Sequence, residues 1–168
     1  MGGTPVMMDG VTRQESLTIV FVCTGNICRS PIAEKVFAHE LAAAGLADGV
    51  VVRSAGTGAW HAGEPADPRA AAVLRAHGYA DDHRARQVDA ELLAADLIVA
   101  LDSGHRRALR EKVPEPDRVR LLRSFDPAAP DRAEVPDPFY GGDEGFAEVL
   151  EMVRAAVPGM LDWVRAHR

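Results

Sequence analysis

A β-branched, apolar run, Leu17-Thr-Ile-Val-Phe-Val22, leads directly into the turn-like segment Cys23-Thr-Gly-Asn-Ile-Cys-Arg-Ser30 and then Pro31. A short run that is apolar at nearly every position suits a strand covered on both faces, as in a parallel sheet between two helical layers. Proline is well tolerated at the first helical position, and Ser30 just before it reads as an N-cap. Ala33, Val36, Phe37, Leu41 and Ala44 then recur at helical spacing, and Gly45 closes the helix. The fold therefore opens strand, loop, helix.

The same alternation continues. Val50-Val-Val52 reads as a second strand ending in Ser54-Ala-Gly-Thr57. Asp67-Pro68 caps a helix that runs to about His77, with Gly78 as its stop. Residues 96–101 form a third strand, 103–113 a third helix and 118–122 a fourth, shorter strand. The Pro/Asp/Gly-rich stretch 123–142 is long for a loop in a compact domain, which marks it as functional. Phe146, Val149, Leu150, Val153, Val157, Leu161 and Val164 make one stripe of a C-terminal helix, which Pro158 and Gly159 are expected to kink or interrupt. The fold class predicted is α/β, a three-layer sandwich with a four-stranded parallel sheet and helices on both faces. Ligands in such folds bind at the carboxyl ends of the strands, where residues 23–30, 54–57 and Asp102 fall.

Composition narrows the function. A chain of 168 residues favours one domain, expected over 17–168, with residues 1–16 as a flexible, non-periodic leader. Net charge is -6, from 25 acidic and 19 basic side chains, which disfavours broad nucleic-acid binding. An anionic ligand must then be captured locally, against the overall field. The start lacks a signal-peptide pattern and no apolar run approaches the ~20 residues of a membrane span, so the cytoplasm is the default compartment and a monomer the default state. Two cysteines, Cys23 and Cys28, are too few for a disulfide scaffold, and no second Cys/His pair follows at ligand spacing, so neither a metal nor a cofactor is called for.

The loop at 23–30 is where chemistry is expected. It joins a buried strand to a helix N-terminus, so its amide N–H groups can converge on one point. Gly25 and Asn26 are the residue types best able to take positive φ in a nest-like turn. Arg29 adds a fork that matches two phosphate oxygens. Cys23 sits at the base of this cradle, where amide dipoles, the helix end and Arg29 all favour a thiolate. A thiolate beneath a cradled phosphate is placed for in-line attack on phosphorus. The departing oxygen needs a proton, for which Asp137 in Val135-Pro-Asp-Pro-Phe-Tyr140 is the best donor: two prolines stiffen its backbone, and Phe139 and Tyr140 supply apolar walls and a stacking surface.

Cys and Arg five residues apart is a weak signal alone; with the strand before it and the Ser-Pro helix start after it, it is strong. The segment Val22-Cys-Thr-Gly-Asn-Ile-Cys-Arg-Ser-Pro-Ile-Ala-Glu34 resembles the signature loop of low-molecular-weight protein tyrosine phosphatases, in an Arg/Ala-rich style similar to actinobacterial members. The resemblance extends through Ser54-Ala-Gly-Thr57, Asp67-Pro-Arg69, Arg75-Ala-His-Gly78, Arg86-Gln-Val88 and Asp137-Pro-Phe-Tyr140. It implies Cys23 as nucleophile, Arg29 as phosphate clamp and Asp137 as general acid and base. It also implies phosphate binding by Thr24, Gly25, Asn26, Ile27, Cys28, Arg29 and Ser30, with the Ser30 hydroxyl stabilising the thiolate. Asn26 would hydrogen-bond Ser54, Glu34 and His83 would support the loop, and Ile27, Trp60, Phe139 and Tyr140 would line the substrate pocket. Cys28 matches a second loop cysteine able to form a reversible disulfide with Cys23. Arg53 departs from the pattern: it stands where some relatives carry an acid near that histidine.

The implied activity is hydrolysis of protein phosphotyrosine through a cysteinyl-phosphate, with phosphate and vanadate as inhibitors. Protein phosphoarginine hydrolysis is the alternative; such relatives typically carry threonine at the position of Ile27 and lack the second aromatic, so Ile27 and Tyr140 favour tyrosine. Arsenate reduction is weaker still, since no cysteine follows Cys28 to complete a relay. The histidines His39, His61, His77, His105 and His167 are assigned no role, and Ser103 reads as a helix cap.

Overall fold

The computed structural model describes residues 6–8, 11–13 and 16–168. The leader expected over residues 1–16 lies largely outside them; its described parts, β1 (Val6–Met8) and β2 (Val11–Arg13), pair antiparallel with each other. The main sheet is built from β3 (Leu17–Cys23), β4 (Val50–Gly56), β5 (Leu97–Ala100) and β6 (Val119–Leu121). Its order is β4-β3-β5-β6, and every pairing is parallel. The helices between and after the strands are α1 (Arg29–Ala43), α2 (Pro68–Ala76), the short α3 (Ala90–Leu93), α4 (Ser103–Arg110) and α5 (Asp143–His167). The doubly covered four-stranded sheet is the predicted architecture.

The run that opened the sequence behaves as its composition requires. Along β3, Ile19, Phe21 and Cys23 point into the core under α1, α2 and α5, while Val20 and Val22 point into a second core that includes Leu109 of α4. All five are buried, and each large aliphatic or aromatic side chain so buried contributes about 1.5–3 kcal/mol. This makes β3 the rigid axis of the sheet. Its last residue, Cys23, lies in register with Gly56 at the end of β4, so two strands finish side by side beneath the loop.

Three local expectations are corrected. Ser30 does not cap α1. The cap position is Cys28, which makes no side-chain capping bond, and Ser30 lies inside the first turn with its hydroxyl turned inward. Nor is α5 interrupted at Pro158, since the helix is continuous over Asp143–His167. Pro158 is exposed, as is Arg154 four residues earlier, so water can take the bond that proline cannot supply. Gly159 is required for packing: a Cβ there would fall 2.1 Å from the Phe125 carbonyl oxygen, at the end of the 3-10 turn Leu122–Phe125. Finally, α4 is capped by Asp102, which accepts from the His105 amide, while Ser103 is the first residue of that helix.

The long stretch after β6 is fastened where it passes the sheet. Val135 is fully buried, and its amide donates to the Leu101 carbonyl at 2.9 Å. That bond helps bring Asp137 to the carboxyl end of β5.

Candidate active site

Cys23 and Arg29 bracket the loop between β3 and α1, and both are buried. The Cys23 sulfur lies 3.0 Å from the Ser30 hydroxyl. Ser30 has one proton to give, and its other acceptor, the Ala55 carbonyl, is farther away at 3.4 Å. The Ser30 oxygen also accepts from the Asn26 amide at 2.8 Å, which turns its proton toward sulfur and carbonyl. The first amides of α1 have no side-chain cap, so they remain for an anion above the loop.

Asn26 is the keystone. It takes φ +59, as the turn requires, whereas Gly25 does not adopt positive φ. A Cβ at position 25 would lie 2.8 Å from the His61 ring, so glycine there lets that ring close over the loop. The Asn26 side chain is fully buried and satisfied three ways: it donates to Ser54 at 3.0 Å and to Ser30, and accepts from the Arg86 amide at 3.0 Å. Its carbonyl is bonded to His83 Nε2 at 2.6 Å. Ser54 in turn donates to Glu34 at 2.5 Å, and Glu34 lies 3.8 Å from His83 Nδ1. Burial lowers the proton affinity of His83, outweighing the Asn26 carbonyl and Glu34. The ring is thus neutral at neutral pH and donates Nε2–H to the carbonyl. Arg53, at the position of the missing acid, is exposed and adds no carboxylate to this ring.

The backbone of β4 presses on the loop from the side. Thr57 donates its amide to the Cys23 carbonyl at 2.9 Å and Gly58 to that of Thr24 at 3.1 Å. A Cβ on Gly56 would come within 2.6 Å of the Thr24 carbonyl oxygen.

Arg29 is held by one edge. Its Nη1 donates to Asp102 at 2.9 Å and to the Val135 carbonyl at 3.0 Å. The rest of the fork lines the cavity, with Nη2 3.7 Å from Asp137. Burial alone would raise the Asp102 carboxyl, but the His105 amide, the His105 ring and Arg29 together hold it below the usual carboxylate range.

These groups surround a cavity of about 500 Å³. Cys23, Thr24, Gly25, Ile27, Cys28 and Arg29 form one side; Trp60, His61, Asp137, Phe139 and Tyr140 form the other. The side chains of Asn26 and Ser30 are buried beneath this cavity and brace the loop from below. Among the described residues, Trp60 and Tyr140 are the large apolar side chains left most open, at 71% and 91% exposed. The Asp137 side chain is 44% exposed, and one carboxylate oxygen accepts the Phe139 amide at 3.1 Å. Burial, with Asp67 and Cys23 adding to it, pushes the Cys28 thiol up to about 12, so Cys28 stays protonated.

Three participants have no role assigned to them from the sequence, although Arg69 lies in one of the segments that carry the resemblance. His61 sits over Gly25, paired with Glu64 at 3.1 Å. His105 is buried against Thr24 and Asp102. Arg69 pairs with Asp67 and donates to the carbonyls of Gly141 at 2.9 Å and Phe139 at 3.0 Å, so α2 grips the segment that carries Asp137. Its guanidinium also lies over Phe146, 4.5 Å from the ring centroid.

The family model described as low molecular weight phosphotyrosine protein phosphatase matches residues 18–168. Over 151 residues the chain is 58% identical to low molecular weight protein-tyrosine phosphatase A of Mycobacterium tuberculosis, covering 89% of this chain and 93% of that one. Among solved structures, a protein tyrosine phosphatase from Entamoeba histolytica with Hepes in its active site superposes with a TM-score of 0.85 at 32% identity, covering 90% of this chain and 98% of that one. A cysteine-to-serine mutant of the arginine phosphatase YwlE, with a phosphorylated active-site serine, gives 0.81 at 29% identity, covering 90% of this chain and 98% of that one.

Proposed function

The chain belongs to the low molecular weight phosphotyrosine protein phosphatase family, and we propose that it hydrolyses phosphotyrosine in proteins by way of a cysteinyl-phosphate on Cys23. In the first step the Cys23 thiolate attacks phosphorus: the S–P bond forms, the P–O bond to the tyrosyl oxygen breaks, and Asp137 delivers its proton to the departing phenolate. In the second, Asp137 takes a proton from water as that water attacks phosphorus; the S–P bond breaks, and inorganic phosphate and the thiolate are released. Arg29 and the uncapped amides of α1 hold the equatorial oxygens throughout.

The observation that carries this reading is the 3.0 Å contact between the Cys23 sulfur and Ser30, made directly below a cavity into which Arg29 and Asp137 both face. The phosphorylated serine in the YwlE mutant supports the same covalent chemistry. The aromatic rim of Trp60 and Tyr140 offers a stacking surface to a flat phenolic leaving group.

The test is hydrolysis of p-nitrophenyl phosphate, with orthovanadate competing. Cys23→Ser is expected to abolish turnover, and Asp137→Ala to cost about 10²–10⁴-fold with poor leaving groups and much less with the nitrophenyl ester. Full activity in Cys23→Ser refutes the nucleophile. Faster hydrolysis of phosphoarginine than of phosphotyrosine peptides moves the enzyme to the other branch of the family.

A further inference from the structure

His105 enters the site from the first turn of α4 with its side chain only 8% exposed. Its Nε2 lies 2.8 Å from the Thr24 hydroxyl. Its Nδ1 lies 3.2 Å from Oδ1 of Asp102 without a well-directed bond, while that oxygen accepts the residue's own amide at 2.9 Å. The other Asp102 oxygen takes the Arg29 guanidinium.

A buried imidazole is costly, and an apolar residue would pack the inner face of α4 with no desolvation to offset. Burial keeps the ring neutral at neutral pH, against the pull of Asp102 and with Arg29 opposing a proton; the Asp137 and Glu134 carboxylates also face it. Asp102 favours the tautomer with hydrogen on Nδ1, which leaves Nε2 to accept from Thr24. Thr24 is exposed on the cavity side and follows the nucleophile directly. Its carbonyl is already held by Gly58, so the bond to His105 fixes its remaining freedom.

We propose that His105 is a positioning residue for this phosphatase: it ties Thr24 to the Asp102–Arg29 pair, so that the loop beside the nucleophile and the phosphate clamp keep one register. The sulfur is aimed by the loop and the phosphoryl group by Arg29. A link between them holds the in-line approach, and the loss of about an ångström there is felt in the chemical step.

The proposal rests on the catalytic reading of Cys23 and Arg29, and the variants separate the two. Kinetics on the full chain with p-nitrophenyl phosphate are compared for wild type, His105→Ala, His105→Gln, Thr24→Val, the Thr24→Val/His105→Ala double variant and Cys23→Ser. His105→Ala is expected to lower kcat by about 10–100-fold with little change in KM, because the loss is felt in the transition state. His105→Gln, whose amide reaches the Nε2 position, recovers most of that loss. The double variant falls no more than about 2-fold below the poorer single variant, since both act through one bond. Losses that multiply, a glutamine no better than alanine, or a folded His105→Ala with wild-type kcat overturn the proposal. If circular dichroism shows His105→Ala unfolded, the decision passes to His105→Gln and Thr24→Val: near-normal kcat with glutamine and reduced kcat with valine support the link, and the reverse overturns it. An active Cys23→Ser overturns the catalytic reading instead.

Discussion

Asp102 and Arg29 meet at 2.9 Å although they lie 73 residues apart, one capping α4 and the other in the first turn of α1. Arg29 is the more deeply buried of the two, with a side chain 4% exposed against 27%. Removing the carboxylate strands a buried guanidinium. Asp102→Ala is expected to cost about 1–3 kcal/mol in urea unfolding, less than a fully buried pair because Asp102 is partly wet. It should also lower kcat/KM by about 10–100-fold as the clamp loses its edge. The folded carboxyl titrates below its unfolded value. Its contribution is therefore complete above about pH 4 and lost as pH falls through the folded value. Asp102→Asn flattens that part of the acid limb, which stability measured from pH 5 downward will show.

Cys28 lines the same cavity as Cys23 yet remains a thiol, pushed up to about 12 chiefly by burial. Iodoacetamide at neutral pH is expected to alkylate one cysteine, Cys23, in the native enzyme and both after denaturation. Peptide mapping that finds Cys28 modified in the folded state contradicts this. Because its folded value lies above the unfolded one, Cys28 favours folding fully below about pH 8.5, and that stabilisation fades as pH climbs toward 12.

Arg69 grips the carbonyls of Phe139 and Gly141 while anchored on Asp67. Arg69→Ala releases the acid-bearing segment and leaves Cys23 and Arg29 in place. Phenyl phosphate, which needs a proton on its leaving group, should lose about 10-fold or more in kcat, and p-nitrophenyl phosphate far less. Equal losses for both esters place the effect elsewhere.

His83 donates to the Asn26 carbonyl as a neutral ring, with its proton affinity lowered by burial. For a base shifted this way, stability is complete above about pH 6.5 and is lost as pH falls through the lower folded value, since the unfolded chain takes the proton first. His83→Gln is expected to weaken that acid sensitivity, and paired melts at pH 7.5 and 5.5 measure it. Introducing Arg53→Asp, an acid at the departing position, raises the ring's proton affinity back toward its unfolded value, so the sensitive window narrows and less stability is lost between pH 7.5 and 5.5.

What could be read from the residue string was whatever neighbouring residues decide together. The buried strand and the Asp67 cap are local, and both stand; the turn after Cys23 is present too, but it ends at Cys28, with Arg29 and Ser30 already in α1. The Asn26–Ser54 bond was implied by resemblance and is present. Ser30 misled because Ser-Pro before an apolar stripe has the composition of a cap, and only the approach of Cys23 and Asn26 draws its hydroxyl inward. The contacts of His105 and Arg69 are not legible because their partners are distant: Thr24 is 81 residues from His105, and Phe139 is 70 from Arg69. Of the two outcomes expected at Pro158, interruption does not occur, because a proline on the wet side of a long helix leaves nothing dry unbonded.

The close approach of Gly56 to the Thr24 carbonyl bears on portability. The loop is cast against a neighbouring strand whose own backbone serves as the mould, and a methyl group would already be too thick a lining. Transplanting residues 23–30 alone onto another strand–helix junction would carry the reagents and leave behind the form that shapes them.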